Sequence, residues 1–239
     1  MNSPPLRELL KPVLQESNNL YAETLFKTMG AKKTGQGTFM AGIQTVTEVL
    51  VQDFGLEKDT FRIEDGSGAS RYTVITPHQM ANVLNSIYHS EMMRPIFWEA
   101  LPVWGQVGTL KRRGKSDKNV SNGTSTGKVT SKEDIQAANK ENNKVTHKED
   151  IKAANAVNKE NNKESNLEES TEEKATHIHP LEGRVRAKTG NIIGVTTLSG
   201  YLNRRSGEDM IFVIMINNTL ASSETIHQFQ EELLLDWIK

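Results

Sequence analysis

Two short motifs in this sequence carry polar groups at spacings that could do chemistry. Lys188-Thr189-Gly190 follows a short alternating segment and offers a cation, a hydroxyl and bare backbone to a small anionic ligand. Ser17-Asn18-Asn19 places a hydroxyl and a carboxamide on an irregular connection, where both can face one cleft. Taken singly, each has an ordinary explanation, because Ser and Asn commonly cap helices and any exposed strand end can carry a Lys-Thr-Gly.

The elements around these motifs follow from hydrophobic periodicity and turn chemistry. Helical spacing predicts helices on either side of Ser17, with a stop at Gly30, and Asp65-Gly-Ser-Gly68 predicts a turn. Alternating segments after Gly183 predict antiparallel strands, with a bulge at Gly200. The other predicted helices cover Phe39–Val51, Thr76–Tyr88 and Pro95–Ala100, and a final helix begins at Ser222; the predicted strands cover Arg184–Lys188, Val195–Leu202 and Met210–Ile216. The predicted inward face of the helix after Ser17 is formed by Leu20, Leu25 and Met29, and that of the final helix by Ile226, Phe229, Leu233, Leu234 and Trp237. This order predicts an α+β fold.

Residues 111–182 differ in composition from the rest of the chain. They are rich in Lys, Glu, Asn, Ser and Thr, and Lys128–Asn139 recurs imperfectly as Lys144–Asn155. Such a segment buries too little apolar surface to offset its conformational entropy, so we predict a disordered surface insert. The predicted domain organisation is a helical part over 1–110, the insert over 111–182, and strands with a final helix over 183–239. The first and third parts are predicted to form one domain.

Bulk composition excludes several classes of function. The formal net charge is −1, which gives no support for a nucleic-acid partner, and the absence of cysteine excludes thiolate chemistry. No apolar run approaches the roughly 18 residues of a spanning helix, and the N-terminus lacks the pattern of a signal peptide. His177-Ile-His179 could be half of a metal site, but the sequence offers no third ligand and a solvated junction explains it better.

Taken together and in this order, the two motifs indicate a particular group of proteins far more specifically than either motif does alone. Ser-x-x-Lys, Ser-Asp-Asn and Lys-Thr-Gly form the motif set of penicillin-binding proteins and class A β-lactamases. The chain resembles the D-alanyl-D-alanine carboxypeptidases of the low-molecular-mass, class C penicillin-binding type, and the resemblance covers nearly all of it except the insert. The stretches that carry it are Ser17–Glu23, Asp65–Arg71, Leu101–Leu110, Gly183–Gly190 and Leu198–Tyr201.

The resemblance implies a fold, a set of ligands and a compartment. The fold is part of a serine β-lactamase/penicillin-binding transpeptidase-like fold, an antiparallel sheet flanked by helices with a helical subdomain. The implied function is a serine-type D-Ala-D-Ala carboxypeptidase that acts on peptidoglycan stem peptides and binds β-lactams without a cofactor or metal. The implied location is periplasmic or extracellular.

The resemblance also implies roles for individual residues. Ser17 would relay a proton between the nucleophile region and the leaving amine, and Asn19 would hydrogen-bond the substrate amide. Lys188 and Thr189 would hold the terminal carboxylate of a D-Ala-D-Ala peptide. The backbone N–H of Asn191 would donate to the oxyanion. The adjoining glycine of the second motif, Gly190, would leave room for the substrate backbone along the strand edge.

The nucleophile motif departs from the family pattern. The family carries Ser-x-x-Lys upstream of the first motif, whereas this sequence has it once, as Ser125-Thr-Gly-Lys128 within the polar insert. That copy is interpreted as coincidence, so the chain is expected to be the C-terminal portion of an enzyme whose nucleophile lies elsewhere. An inactive remnant that binds cell-wall peptides or a partner chain is the alternative. A third possibility is that the insert is an interaction segment on an inert scaffold.

Overall fold

The computed structural model describes residues 3–114 and 178–239, which belong to one compact unit. Within these residues lie six α-helices and one three-stranded antiparallel sheet of order β1-β2-β3. The helices are α1 (Leu6–Leu14), α2 (Asn19–Thr34), α3 (Phe39–Gln52), α4 (Pro77–His89), α5 (Met93–Ala100) and α6 (Ser223–Trp237), and the strands are β1 (Val185–Ile192), β2 (Val195–Asn203) and β3 (Asp209–Asn217). Strand β1 therefore continues beyond its predicted end at Lys188 and carries the whole Lys-Thr-Gly motif.

Side-chain caps define where the predicted helices begin. The Thr76 hydroxyl accepts from the Gln79 N–H at 3.2 Å, and the Gln79 side chain accepts from the Thr76 N–H at 2.9 Å, with Pro77 as the first helical residue. This reciprocal pair satisfies backbone donors that a helix leaves free at its start. Ser222 caps α6 with a single bond, accepting from the Thr225 N–H at 3.1 Å.

Helices α2 and α3 approach closely because glycines lie between them. A Cβ on Gly30 would lie 2.7 Å from the Gly42 nitrogen, which no real side chain tolerates. The predicted stop at Gly30 is therefore wrong: this glycine is a packing position inside α2, which ends at Thr34 and is capped by Gly35 with φ 77°. The predicted apolar face of α2 is also wrong in part, since Leu20 is 73% exposed and Met29 is 41% exposed.

The three strands pair without interruption at Gly200. This residue lies opposite Ala187 on β1 and Phe212 on β3, and the register on both sides is one to one. The predicted bulge at Gly200 is therefore wrong. Glycine is needed here because a Cβ would lie 2.1 Å from the Arg186 carbonyl oxygen and 2.6 Å from the Ala187 Cα.

Helices cover both faces of the sheet. On one face, Leu198 and Leu202 pack in a cluster with Leu234 of α6. On the other, the buried Tyr201 packs with Leu84 of α4 and donates its hydroxyl to the Leu84 carbonyl oxygen at 2.9 Å. Because side chains alternate along a strand, Lys188 lies on the same face as Tyr201, towards the helical part.

Helix α6 buries a narrower stripe than its sequence predicts. Ile226, Gln230 and Leu234 are buried, and Trp237 packs against the same cluster. Phe229, predicted to face inward, is 48% exposed. It lies about 60° around the helix from Ile226, outside the stripe that contacts the sheet.

The ends of the predicted 111–182 insert belong to the packed unit. Leu181 is fully buried in the core, and Arg113 donates to the Gln230 side chain at 3.0 Å. On the other side, His179 Nε2 lies 3.0 Å from a Glu231 carboxylate oxygen. The insert and its repeat otherwise lie outside the described residues, so the domain boundaries remain a prediction.

The two chain segments that flank residues 115–177 lie side by side. A Cβ on Gly114 would lie 2.7 Å from the Cγ of His179, so a short linker can join them. We expect replacement of residues 115–177 by a short Gly-Ser linker to leave cooperative urea unfolding intact. The free energy of unfolding should stay equal or rise by up to about 2 kcal/mol, because a shorter loop loses less entropy on closure. Loss of the cooperative transition would contradict the insert prediction.

Candidate active site

Ser17 lies in the tight connection between α1 and α2. Its φ of 56° is in the left-handed region, which costs about 1 kcal/mol or more for a residue other than glycine. The Asn18 N–H donates to the Pro12 carbonyl oxygen at 3.1 Å, and the Asn18 side chain caps α2 by accepting from the Tyr21 N–H at 3.1 Å. The capping role thus belongs to Asn18, which leaves the Ser17 hydroxyl available to another partner.

Helix α1 is fixed against α5 by polar contacts around Glu99. Arg7 forms an ion pair with the Glu99 carboxylate, and Lys11 lies 2.7 Å from it. Hydrogen bonds and charge from Lys11 and Arg7 lower the pKa of Glu99 to about 2. The Gln15 side chain, at the end of α1, donates to the Glu99 carbonyl oxygen at 3.0 Å. These contacts set where the Ser17 turn lies.

The two motifs meet through Lys188. Its Nζ donates to the Ser17 Oγ at 2.7 Å and to the Thr189 carbonyl oxygen at 2.7 Å. The side chain is half-buried, and this desolvation lowers the pKa of the ammonium, because burial disfavours the charged form. Among the described residues its hydrogen-bond partners are neutral oxygens, so this partly buried cation is well suited to receive an anion.

The rest of the second motif is set by neighbours on β2 and by a nearby loop. The Thr189 hydroxyl donates to the Thr109 hydroxyl at 2.9 Å. A Cβ on Gly190 would lie 2.5 Å from the Thr197 Oγ1, so glycine keeps this part of the strand surface clear. Asn191 is exposed, and its side chain accepts from the Thr196 hydroxyl at 3.4 Å.

The outer edge of β1 presents backbone groups beside Lys188. The Ala187 N–H points away from β2 and donates to the Pro102 carbonyl oxygen at 3.1 Å. Backbone direction alternates in an antiparallel ladder, so the N–H groups of Thr189 and Asn191 also face this outer edge. An extended ligand can pair there, next to the motif side chains.

Asn19 is the remaining residue of the predicted site. It is the first residue of α2 and is exposed, directly after the Ser17 turn. Among residues 3–114 and 178–239, none forms a hydrogen bond with its side chain. The structure thus brings together Ser17, Lys188 and Thr189. Asn19 and Asn191 are exposed, and among the described residues no hydrogen bond joins either side chain to those three.

Thr109 and Gln15 contact the site but were not identified from the sequence. Thr109 belongs to a 3₁₀ turn over Gly108–Leu110, and its N–H donates to the Gln15 carbonyl oxygen at 3.0 Å. The available signal was weak: a hydroxyl residue after the predicted Gly105–Gly108 turn, within a stretch that already resembled the family.

Of the two histidines that could be half of a metal site, His179 lies in the part of the chain that the structure describes. His179 stacks on Trp104, with ring centroids 6.1 Å apart, and pairs with Glu231. Across those described residues, no group of three or more His, Asp or Glu side chains could hold a metal ion. His177 and the Ser125–Lys128 motif lie outside the described residues.

Known proteins resemble this chain over most of its length. The model of the D-Ala-D-Ala carboxypeptidase 3 (S13) family matches residues 1–137 and 165–234. D-alanyl-D-alanine carboxypeptidase DacB of Haemophilus influenzae is 25% identical over 216 residues, covering 90% of this chain and 32% of that protein. The D-alanyl-D-alanine carboxypeptidase of Actinomadura sp. is 34% identical over 117 residues, covering 46% of this chain and 21% of that protein.

Solved structures show the same fold. The crystal structure of penicillin binding protein 4 (dacB) from Haemophilus influenzae superposes with a TM-score of 0.66 at 24% identity, covering 99% of this chain and 40% of that chain. This supports the predicted α+β, transpeptidase-like arrangement. The chain spans about a third or less of the length of the curated relatives above. Because the family model matches most of its residues, the chain belongs to the D-Ala-D-Ala carboxypeptidase 3 (S13) family.

Proposed function

We propose that this chain forms the carboxylate-binding and proton-relay side of a serine D-Ala-D-Ala carboxypeptidase site. The observation that carries the proposal is the 2.7 Å bond from Lys188 Nζ to Ser17 Oγ, which joins two motifs 171 residues apart. Its substrates would be peptidoglycan stem peptides, and β-lactams would occupy the same cleft. Peptidoglycan lies outside the cytoplasmic membrane, so the working compartment would be periplasmic or extracellular. In the described residues no helix has both the length and the apolar character to span a bilayer.

Substrate binding would use the charge and the edge of β1. The terminal carboxylate of the peptide would accept from the Lys188 ammonium and the Thr189 hydroxyl, since charge-assisted hydrogen bonds are the strong ones. The substrate backbone would lie along the outer edge over Gly190. Its scissile carbonyl would then face the N–H of Asn191, a preorganised donor for the oxyanion. At the rim, the side-chain amide of Asn19 would contact the substrate amide.

The chemistry would be acyl transfer to a serine hydroxyl. That serine gives up its hydroxyl proton as it attacks the carbonyl carbon of the penultimate D-Ala. The C–N bond to the terminal D-Ala breaks as a proton reaches the departing amine through Ser17, and water later hydrolyses the ester. Ser17 accepts from Lys188, so its own proton is available to the departing amine. The nucleophile would come from a Ser-x-x-Lys helix outside this sequence, because Ser125–Lys128 lies in the wrong order.

The proposal is tested by measuring binding and acylation separately. We expect N-acetyl-D-Ala-D-Ala to shift the amide resonances of Thr189–Asn191 in a saturable way, while fluorescent penicillin does not label this chain covalently. The matched control peptides are the C-terminal amide, which lacks the carboxylate, and the L,L isomer; both should bind far more weakly. Equal shifts with the amide peptide would overturn the assigned carboxylate site. Covalent labelling by penicillin would overturn the expectation that this sequence lacks the nucleophile.

Binding should depend on pH through Lys188. Burial lowers the pKa of this ammonium below its ordinary value of 10.5, and a bound carboxylate favours the charged form. Affinity should therefore be full below the lowered pKa of the free protein and should fall as pH rises through it. Peptide titrations at a series of alkaline pH values measure this. A midpoint at or above the pKa of an exposed lysine would contradict the effect of burial.

A further inference from the structure

Thr109 contacts both halves of the site, the connection that carries Ser17 and the strand motif Lys188-Thr189-Gly190. It uses its backbone for one and its side chain for the other. Its backbone N–H donates to the carbonyl oxygen of Gln15, which comes two residues before Ser17, at 3.0 Å. The preceding Gly108 packs against the same carbonyl, because a Cβ there would lie 2.7 Å from that oxygen. The turn that carries Thr109 is therefore held in fixed register with the Ser17 connection.

The Thr109 side chain contacts the other half. Its hydroxyl oxygen accepts from the Thr189 hydroxyl at 2.9 Å. A hydroxyl can donate one hydrogen bond and accept two, so the Thr109 proton is not used in this contact. Thr109 is exposed, and among the residues described by the structure none accepts that proton.

We propose that Thr109 is a positioning residue for the carboxylate site, an inference that rests on the proposed function. Without ligand, Thr109 fixes the rotamer of Thr189 by accepting its proton. When a carboxylate reaches Lys188, the Thr189 hydroxyl rotates its proton onto the carboxylate, and the Thr109 hydroxyl donates to the Thr189 oxygen in return. A chain of two hydroxyls ending on an anion is stronger than one hydroxyl alone, because each bond polarises the next.

Two substitutions separate this role from simple packing. Thr109→Val keeps the shape and the backbone bond to Gln15 but removes the hydroxyl, whereas Thr109→Ser keeps the hydroxyl and loses the methyl group. In the unliganded protein, we expect Thr109→Val to leave Thr189 in more than one χ1 rotamer, measured by three-bond couplings to its methyl carbon. Thr109→Ser should restore a single rotamer.

We expect the two variants to differ in their affinity for the peptide. N-acetyl-D-Ala-D-Ala should bind about 5- to 10-fold more weakly to Thr109→Val and within about 2-fold of the original protein to Thr109→Ser. The control is Thr24→Val, which removes an exposed hydroxyl that, within the described ranges, bonds to the Leu20 carbonyl oxygen alone, at 2.7 Å. It should change neither measurement.

The two readouts distinguish the possible failures. An unchanged single Thr189 rotamer in Thr109→Val would overturn the positioning role, whatever the affinity. Equal loss of affinity in the Val and Ser variants would also overturn it, because the effect would then follow the methyl group. If the original protein binds no peptide while Thr109→Val still releases the Thr189 rotamer, the proposed function fails and the contact between the two hydroxyls stands.

Discussion

Replacing Lys188 with methionine is expected to weaken the binding of N-acetyl-D-Ala-D-Ala by about 30-fold or more, because the variant loses a charge-assisted hydrogen bond to the carboxylate. Methionine fills a similar volume without a charge. The Ser17 hydroxyl also loses its only described donor, the Lys188 ammonium at 2.7 Å. The measurement is the peptide titration followed at the amide resonances of β1.

Stability distinguishes lost binding from lost folding in this variant. Burial disfavours the Lys188 ammonium, so an uncharged replacement removes a desolvation penalty. The free energy of unfolding of Lys188→Met should therefore be equal to or higher than that of the original protein. The matched control is Lys32→Met, at an exposed position on α2, which should change neither property. Binding by Lys188→Met within about 3-fold of the original protein would rule out the carboxylate site.

Replacing Gly200 with alanine is expected to destabilise the protein by about 3 kcal/mol or more. The added Cβ would lie 2.1 Å from the Arg186 carbonyl oxygen and 2.6 Å from the Ala187 Cα. Both atoms belong to the backbone of β1, so no side-chain rotation relieves the overlap. Either the two strands separate or the pairing shifts, and Lys188 directly follows Ala187 on the same strand.

Urea unfolding of Gly200→Ala measures this loss, with Gly37→Ala as the control. A Cβ on Gly37 would meet its nearest atoms at 3.7 and 3.8 Å, which is ordinary contact. That variant should stay within about 0.5 kcal/mol of the original protein, since Gly37 is an exposed position without a close neighbour. A similar small change for Gly200→Ala would contradict the tight pairing of β1 and β2.

The sheet also explains why the site depends on residues far from the chemistry. Lys188 can reach Ser17 only if β1 keeps its register with β2 and α1 keeps its place on α5. The first condition depends on Gly200, which lets the strand backbones approach. The second depends on Glu99, which binds Arg7 and Lys11 at the start and middle of α1.

Local patterns predicted most elements of the fold correctly because their causes lie within a few residues. The Thr76 capping box, the turn at Asp65 and the alternation of β2 are short-range features. Predictions were wrong where a residue's role depends on contact with a part of the chain that is distant in sequence. Local patterns predict a stop at Gly30 and a bulge at Gly200, whereas each glycine is needed to let another backbone approach.

By itself, the sequence determined the α+β class, the family resemblance and the two motifs with Ser17 and Lys188, because residue types and their order in the chain are sufficient for these. Only the tertiary structure decided that Lys188 Nζ lies 2.7 Å from Ser17 Oγ, and that Thr109 bonds to both Gln15 and Thr189. The physical reason is that hydrogen bonds act over about 3 Å, whereas the chain brings these residues together from positions far apart in sequence. Such contacts are fixed by sheet register and helix packing, which no local pattern contains.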